Sequence, residues 1–175
     1  MSTEMNMNVK PELNLKIRHM RKSDVDNIMR IEKKAFNSPW HKDGFKSELT
    51  LNRFAHYFVL CSGSRLIAYA GMWVIIDESH LTTLAVDESY RGLGVGKLLL
   101  EFMITKAYQS GAVRMSLEVR PSNKSARRLY AGHGFVVRGK RENYYPDEDA
   151  FIMINDELDK WAKESRRRLN SVFGK

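Results

Sequence analysis

The sequence predicts an α/β fold, a single domain with a central mixed β-sheet of about seven strands and helices on both faces. A chain of 175 residues with 43% hydrophobic residues has the size and composition of one globular domain with a substantial core. Its apolar segments follow strand and helix periodicities in the order β-αα-βββ-α-β-α-ββ, which is typical of a sheet covered by helices. A glycine-rich loop at residues 91–97 joins one predicted strand to one predicted helix.

The first third of the chain is expected to hold one strand and two helices. Residues 13–18 alternate apolar and polar side chains, as in a half-buried strand. Ser23 is then expected to cap a helix whose apolar face includes Ile28 and Ile31. The sequence N-S-P-W interrupts this helix, and a second, short helix is expected over residues 42–51.

The remaining elements follow from apolar periodicity and from the glycine and proline residues that separate them. In order, we expect strands over residues 56–61, 66–76 and 81–86, a helix from 95 to about 110, a strand over 114–120, a short helix to 131, and strands over 135–137 and 150–154. Ser122 or Asn123 is expected to cap the short helix. Strand residues Ser116, Glu118 and Arg120 face away from the apolar side of their strand.

The domain boundaries are set by composition. Residues 1–12 are expected to form a flexible leader, residues 13–155 the folded domain, and residues 156–175 a basic helical C-terminal extension. The extension begins with acidic residues, which are followed by the run R-R-R at residues 166–168, as in a solvated helix that complements its own dipole. We expect it to lie outside the active site, where it is either a solvated helix or a contact with the ribosome.

Charge and composition limit the classes of partner. The formal net charge is +8, and residues 114–141 carry eight lysines and arginines but one acid, Glu118. This excess predicts either general attraction to anions or a site for a phosphate-rich cofactor or a ribonucleoprotein surface. No nucleic-acid motif accompanies it, so direct sequence-specific nucleic-acid binding is not expected.

The sequence also indicates a compartment. No window approaches the ~20 apolar residues of a membrane span, and the first residues lack the apolar core of a signal peptide. Cys61 is the single cysteine, which excludes an internal disulfide framework, and no cluster of Cys and His predicts a metal site. These features predict an intracellular, cytoplasmic protein without membrane contact.

The glycine loop predicts phosphate binding. Glycines let a backbone approach a ligand closely, and the N-terminus of the following helix adds unpaired N–H donors and the positive end of its dipole. The spacing is neither that of the dinucleotide fingerprint nor that of the Walker loop, and Gly96-Lys97 is followed by leucine rather than serine or threonine. It fits Arg-x-x-Gly-x-Gly at Arg91, Gly94 and Gly96. On the loop alone, an ordinary turn before an amphipathic helix is an equal alternative.

Three separated motifs carry a family resemblance. They are F-N-S-P-W at residues 36–40, L-E-V-R-P-S-N-K-S-A-R-R-L-Y at residues 117–130, and N-Y-Y-P at the start of residues 143–153. In this order they resemble the amino-terminal acetyltransferases of the GNAT superfamily, nearest to the ribosomal-protein-alanine type and its archaeal relatives. The resemblance covers roughly residues 13–154 and implies acetyl-CoA as the cofactor and a protein or peptide N-terminus as the partner.

The resemblance implies two catalytic residues. Glu118 matches the base, which would act through water, and Tyr130 matches the acid that protonates the leaving thiolate. Without the resemblance, Glu118 would be an ordinary solvated or arginine-paired carboxylate, and Tyr130 a core tyrosine. The basic neighbours of Glu118 are expected to lower its pKa, which an α-amine of pKa ~7.7–8.0 tolerates better than a lysine of pKa ~10.4.

The resemblance also implies a cofactor site and a peptide groove. Expected cofactor contacts are Leu84, Ala85, Val86, Arg91, Gly92, Leu93, Gly94, Val95, Gly96, Lys97, Asn123 and Tyr130. Expected groove residues are Ser38, Pro39, Trp40, Tyr144 and Tyr145. Ser38 stands where some archaeal and eukaryotic relatives carry a glutamate, which favours the ribosomal-protein-alanine pattern. His41, His56, His80 and His133 are expected to be structural or surface residues.

These features favour an enzyme that acetylates protein N-termini, with alanine and serine preferred and methionine accepted if the groove is open. An acetyltransferase acting on lysine or on a small-molecule amine is the second hypothesis, because fold and loop do not select the amine. The third is a non-catalytic module that binds CoA or associates with RNA. The presence of Glu118 and Tyr130 within one motif argues against the third hypothesis.

Overall fold

The computed structural model describes residues 14–174 and contains seven strands and five α-helices. The strands are β1 (Leu15–His19), β2 (Ala55–Ser62), β3 (Arg65–Ile75), β4 (Glu78–Val86), β5 (Arg114–Val119), β6 (Val136–Arg141) and β7 (Ala150–Asn155). The helices are α1 (Val25–Ala35), α2 (Lys42–Thr50), α3 (Val95–Gln109), α4 (Lys124–Ala131) and α5 (Leu158–Phe173). The leader predicted over residues 1–12 lies outside the described residues.

The strands form one sheet in the order β1-β2-β3-β4-β5-β7-β6. All neighbouring pairs are antiparallel except β4 and β5, which run parallel. The expected mixed sheet of about seven strands is therefore confirmed. β2, β3 and β4 are joined by short turns, β6 and β7 form a hairpin, and β1 pairs with β2 across the two intervening helices. α3 makes the crossover that brings β5 beside β4.

β4 and β5 pair over only a short length. Their ladder joins Glu78 to Arg114, Ser79 to Met115 and His80 to Ser116, and it stops there. Beyond this point β4 continues to pair with β3 on its other side, while β5 pairs with β7. The sheet therefore opens into a V between the C-terminal halves of β4 and β5, and one edge of β4 has no ladder partner there.

Helices cover both faces of the sheet, as the sequence predicts. One core contains Leu99, Met103 and Ile104 of α3 packed against strand residues such as Leu60 and Met115. A second, smaller core on the other face contains Val25, Ile28 and Ile31 of α1, with Phe45 of α2. The helical stripes predicted for α1 and α3 are the surfaces that these helices bury.

The start of α1 differs from the expectation. Ser23 is not its cap but lies within a 3₁₀ turn over Lys22–Asp24, and α1 begins at Val25. The reason is Asp24, whose buried carboxylate accepts bonds of 2.7 and 2.8 Å from Arg18 and one of 2.7 Å from the Arg21 N–H. The Arg18 hydrogen bond lowers the pKa of Asp24. A tertiary contact with β1 therefore decides where the helix starts.

The C-terminal helix α5 packs on α3. Leu158, Ala162, Ser165 and Leu169 are its buried residues, and they recur at a spacing that places them on one face. The opposite face carries the charged residues that dominate the composition of this segment. No helix among the described residues is long and apolar enough to cross a membrane.

Candidate active site

The glycine loop connects β4 to α3 through a 3₁₀ turn over Glu88–Tyr90. Gly94 occupies the residue before α3 with φ 83°, and the Leu98 N–H is bonded to its carbonyl. In an α-helix the N–H groups preceding that first bond have no partner within the helix. The N–H groups of Val95, Gly96 and Lys97 are therefore donors at the positive end of the α3 dipole, where an anionic group is stabilised.

Two glycines of the loop are required by backbone conformation. Gly92 has φ 76° and Gly94 has φ 83°, which side-chain-bearing residues rarely adopt. Gly96 is helical and differs from them. A Cβ at Gly96 would lie 3.5 Å from Val86 and 3.8 Å from Leu129, so this glycine keeps the space between β4 and α4 open.

A cleft of about 390 Å³ lies above this loop. Of the predicted cofactor residues, it is lined by Leu84, Ala85, Val86, Arg91, Gly92, Gly94, Val95, Gly96, Lys97 and Asn123. The sequence did not predict several further lining residues, which are Ala35, Phe36, Tyr90, Ser125, Ala126 and Leu129. Leu93 is 44% exposed, and neither it nor Tyr130 lines this cleft.

The far wall of the cleft is the start of α4. Asn123 caps this helix, its side chain accepting a 3.1 Å bond from the Ala126 N–H, as predicted. Leu84, Ala85 and Val86 form the opposite wall on the part of β4 beyond its pairing with β5. The cleft thus combines free helix-terminal donors, an unpaired strand edge and apolar side chains, which fits a cofactor with a pyrophosphate at one end and an extended amide chain.

Glu118 lies on β5 beside the opening of the sheet. Its carboxylate is 9% exposed and receives two basic partners, His80 Nε2 at 2.9 Å from Oε2 and Arg141 at 3.1 Å from Oε1. The His80 contact, followed by the charge of Arg141, lowers the pKa of Glu118 despite its burial. Glu118 is therefore ionised near neutral pH, with both oxygens already engaged.

The sequence left His80 as a structural or a surface residue, and the structure gives it a bridging role. Its two ring nitrogens link Glu118 to Ser116 of β5. Nδ1 lies 2.9 Å from the hydroxyl of Ser116, and Nε2 faces Glu118. If Nε2 carries the proton, it donates to the carboxylate while Nδ1 accepts from Ser116. The alternation of polar residues on β5 indicated Ser116 and Glu118, but no local pattern connects either to His80.

Tyr130 is buried in α4, at 8% exposure, and its ring centroid lies 5.8 Å from that of Phe135. Burial raises the pKa of its phenol, and proximity to the Tyr145 phenol adds to the effect. The hydroxyl is consequently protonated throughout the physiological range. A protonated phenol can donate a hydrogen bond or a proton but cannot act as a base.

Tyr144 and Tyr145 are held beside Glu118 by cation–π contacts. The guanidinium of Arg120 lies 4.0 Å from the Tyr145 ring centroid, and that of Arg141 lies 5.3 Å from the Tyr144 centroid. The two tyrosine rings meet edge to face at 4.9 Å. Burial raises the pKa of Tyr145 to about 12. Arg141 therefore joins the aromatic loop to the carboxylate of Glu118.

The loop of Ser38, Pro39 and Trp40 is anchored to α1 and α2 through Trp40. The Trp40 N–H donates a 2.9 Å bond to Oε1 of Glu32, and the Trp40 ring packs 5.4 Å from that of Phe45. Glu32 is 1% exposed, and its second oxygen, Oε2, has no hydrogen-bond partner. Burial raises the pKa of Glu32 to about 7. The predicted position of this loop opposite Tyr144 and Tyr145 stays a prediction.

The fold and the cleft fit a transferase whose cofactor carries an acyl group and a pyrophosphate. Residues 25–135 match the acetyltransferase (GNAT) family. The chain belongs to this family, and its cofactor is acetyl-CoA.

Individual relatives extend the match. A protein of Bacillus subtilis, named as a putative [ribosomal protein bS18]-alanine N-acetyltransferase, is 41% identical over 139 residues, covering 78% of this chain and 92% of the relative. The crystal structure of the Escherichia coli ribosomal-protein-S18-alanine N-acetyltransferase has a TM-score of 0.74 and 34% identity, covering 80% of this chain and 92% of that one. A spermidine N-acetyltransferase chimera from Vibrio cholerae has a TM-score of 0.73 over 84% of this chain and 97% of its own, but 16% identity, which shows the fold alone.

Proposed function

We propose that this enzyme transfers the acetyl group of acetyl-CoA to the N-terminal α-amino group of a protein. The observation that carries the proposal is the opening between β4 and β5, which has the cofactor cleft on one side and Glu118 on the other. The relatives from Bacillus subtilis and Escherichia coli, both named for acetylating the alanine of a ribosomal protein, support the choice of acceptor.

Each step of the transfer needs a group that this chain offers. Bound acetyl-CoA supplies the activated acetyl group, and the pyrophosphate would be held by the N–H groups of Val95, Gly96 and Lys97. The free edge of β4 presents the N–H and carbonyl of Leu84 and the N–H of Val86 to the amide arm and to the thioester oxygen, whereas the backbone of Ala85 is paired with Tyr69 of β3. These groups are fixed before the reaction, so they need no reorganisation when charge develops.

Proton transfer is assigned to two side chains. Glu118 accepts the proton of the acceptor amine through a water molecule, and its lowered pKa makes it a weak base. A weak base suffices for an α-amine of pKa ~7.7–8.0, part of which is already neutral at pH 7. Tyr130 keeps its proton until the sulfur leaves and then donates it. Asn123 contributes by fixing the start of α4 and by facing the cofactor cleft.

The substrate we propose is an N-terminus with a small first residue, alanine or serine, with methionine accepted if the groove is open. Tyr144 and Tyr145 form one wall of the groove, and Ser38, Pro39 and Trp40 form the other. A ribosomal protein in the cytoplasm is the natural candidate, given the relatives' names. The basic residues of α5 would then contact the ribosome, whereas direct sequence-specific nucleic-acid binding is not part of the proposal.

Two other functions keep some support. Transfer to a lysine or to a small amine fits the same fold, because a spermidine acetyltransferase shares it. The aromatic loop at Tyr144 and Tyr145 argues against the lysine hypothesis, since the peptide backbone on both sides of a lysine would meet these rings. A non-catalytic CoA- or RNA-associated module has the least support, because Glu118 and Tyr130 lie near the same aromatic loop.

The deciding experiment uses one peptide that has a free N-terminal alanine and an internal lysine, together with a copy whose N-terminus is blocked. The enzyme and acetyl-CoA should modify the first peptide only at residue one, as located by mass spectrometry, and should leave the blocked copy unchanged. Acetylation of the lysine with the free alanine unmodified would contradict the α-amine proposal. The assignment of the cofactor would survive that result.

A further inference from the structure

The run Arg166, Arg167 and Arg168 on α5 is divided by the fold. Arg166 and Arg167 are exposed and have no ion-pair partner among residues 14–174. Arg168 is half-buried. Its Nη2 donates a 3.0 Å hydrogen bond to Glu164 of the same helix, while its Nε, a buried atom, lies 3.0 Å from Oε1 of Glu101. The Nε–H is not aligned for a hydrogen bond to that oxygen, so the contact is Coulombic. Of the three arginines, Arg168 therefore makes an ion pair with the catalytic domain.

Glu101 on α3 contacts a buried histidine as well as Arg168. Its side chain is 2% exposed, and Oε1 also lies 3.2 Å from Nε2 of His133, whose side chain is 4% exposed. Three charged or titratable groups from α5, α3 and the turn after α4 therefore meet at one carboxylate oxygen. Buried charges are costly to desolvate, so a cluster like this stabilises the fold less than apolar packing would but fixes geometry more narrowly.

His133 controls the end of the helix that carries Tyr130. Its Nδ1 lies 2.8 Å from the carbonyl of Leu129, and its backbone N–H donates a 2.8 Å bond to the carbonyl of Tyr130. Phe135 N–H bonds to the same Tyr130 carbonyl at 3.2 Å. The C-terminal turn of α4 is thus tied to the His133 ring at Leu129 and to the His133 backbone at Tyr130, so a shift of His133 as a whole would be passed to the turn that carries Tyr130.

A second contact from α5 reaches the same turn. The Trp161 ring centroid lies 5.7 Å from that of His133. Gly134, with φ 81°, lies directly beneath the indole, where an added Cβ would be 2.0 Å from its Nε1. The residue after His133 must therefore be glycine both for its conformation and for the room that Trp161 occupies.

We propose that α5 is a positioning element for Tyr130, acting through Arg168 and Glu101 on His133 and through Trp161 on Gly134. The inference rests on the proposed role of Tyr130 as the acid. It goes beyond that role because α5 lies outside the region that matches the family, residues 25–135. In this enzyme the helix that follows the last strand sets the position of the acid.

The test is a double-mutant cycle on the full chain. Arg168→Met keeps the length of the side chain and removes its charge, Arg167→Met is the matched control, and Arg168→Lys restores a cation. Arg168→Met should lower kcat about 10-fold with the KM for acetyl-CoA within about twofold, because a small displacement of a catalytic group is costly in rate. Arg167→Met should match the wild type, and Arg168→Lys should recover most of the loss.

Combination with Tyr130→Phe separates positioning from general damage. In that background Arg168→Met should cause no further loss of kcat, because the group it positions is gone. Losses that multiply, or a wild-type kcat in Arg168→Met, would overturn the inference. If Tyr130→Phe alone retained the wild-type kcat, the proposed acid would be wrong instead. If circular dichroism shows that Arg168→Met does not fold, Trp161→Phe replaces it in the double-mutant cycle. This substitution opens space over Gly134.

Discussion

Nε2 of His80 lies 2.9 Å from Oε2 of Glu118, at the point where the sheet begins to open. His80 belongs to the last residue pair that joins β4 to β5, and its partner in that ladder is Ser116. The imidazole therefore spans the two strands just before they separate. It fixes the orientation of the carboxylate and is the main cause of its lowered pKa.

Removing His80 should change the pH dependence of the reaction. His80→Ala takes away the main group that lowers the pKa of Glu118, so that pKa should rise. The base would then lose its charge at a higher pH, and the acid limb of the kcat profile should move upward. Initial rates between pH 4 and 8 measure this shift, with His19→Ala on the exposed end of β1 as the control. An unchanged acid limb in a folded His80→Ala enzyme would contradict the coupling.

Glu118→Gln and Tyr130→Phe should each lower kcat by about 10²–10⁴-fold, the usual contribution of a positioned acid or base. Both substitutions keep the shape of the side chain and remove its titrating group. The Kd for acetyl-CoA, measured by calorimetry, should change far less than kcat because neither side chain lines the cofactor cleft. Near-wild-type turnover in both variants would make Glu118 an ion-pair residue and Tyr130 a core tyrosine.

The cofactor loop is best tested at Gly96. Gly94→Asp would strain a backbone at φ 83°, whereas Gly96 is helical and accepts a side chain without that strain. Gly96→Asp should place a carboxylate beside the free N–H groups and abolish binding of acetyl-CoA. Gly96→Ala, the steric control, should bind measurably, since its Cβ makes ordinary contacts at 3.5 Å or more. Wild-type affinity for acetyl-CoA in a folded Gly96→Asp variant would show that this loop does not bind the cofactor.

Glu32 should make the enzyme less stable as the pH rises through about 7. Its folded-state pKa is raised by burial, so its contribution is fully present below the unfolded pKa of ~4.3 and is lost on ionisation in the fold. Glu32→Gln keeps the acceptor for Trp40 and cannot ionise. It should be more stable than the wild type at pH 8, on the order of 2 kcal/mol.

Thermal unfolding at pH 5 and at pH 8 measures this difference for Glu32→Gln, and the exposed Glu88→Gln serves as the control. At pH 5 the two Glu32 forms should differ much less than at pH 8, because the folded carboxyl still holds its proton and only the ionisation of the unfolded chain has begun to lower the stability. A variant that is less stable at pH 8 would show that the charged form of Glu32 is the favoured one.

The exposed arginines of α5 allow a test of ribosome association. Arg166→Glu with Arg167→Glu should weaken salt-sensitive binding to ribosomes, because each lost cation removes a contact with phosphate. Turnover of a peptide should stay unchanged, since neither residue lines the cofactor cleft and neither has an ion-pair partner among residues 14–174. Removal of the residues after Lys160 is a poorer test, because it would also remove the buried Ala162, Ser165 and Leu169. Unaltered ribosome binding after the charge reversal would dismiss the docking hypothesis.

Features that depend on residues close together in the chain could be predicted from the sequence. Features that depend on contacts between residues far apart in the chain could not. The glycine loop and the Asn123 cap depend on local conformation, so short motifs identified them. The contact of His80 with Glu118 depends on which strands become neighbours, and no local pattern contains that choice. The predicted start of α1 was wrong for the same reason, because it depends on the ion pair between Arg18 on β1 and Asp24.

The sequence of the C-terminal helix contains a pattern that predicts its buried face, but the charge of the segment led to a different prediction. The spacing of Leu158, Ala162, Ser165 and Leu169 is that of a buried helical stripe, but the net charge of the segment suggested a solvated extension. Composition averages over both faces of a helix, whereas packing is decided by one face. His133 was likewise predicted to be a structural or surface residue. Its buried partner, Glu101, could not be predicted because it lies on another helix.

The short ladder between β4 and β5 leaves the sheet as two plates joined by a narrow seam of three residue pairs. The glycine loop belongs to one plate, and Glu118 and the aromatic loop belong to the other. A cofactor lying in the opening would supply, with its amide arm, the hydrogen bonds that a longer ladder would have made. Occupancy of the site and rigidity of the whole sheet therefore vary together, and amide hydrogen exchange on β4 at Leu84 and Val86, whose N–H groups face the opening, reports both at once.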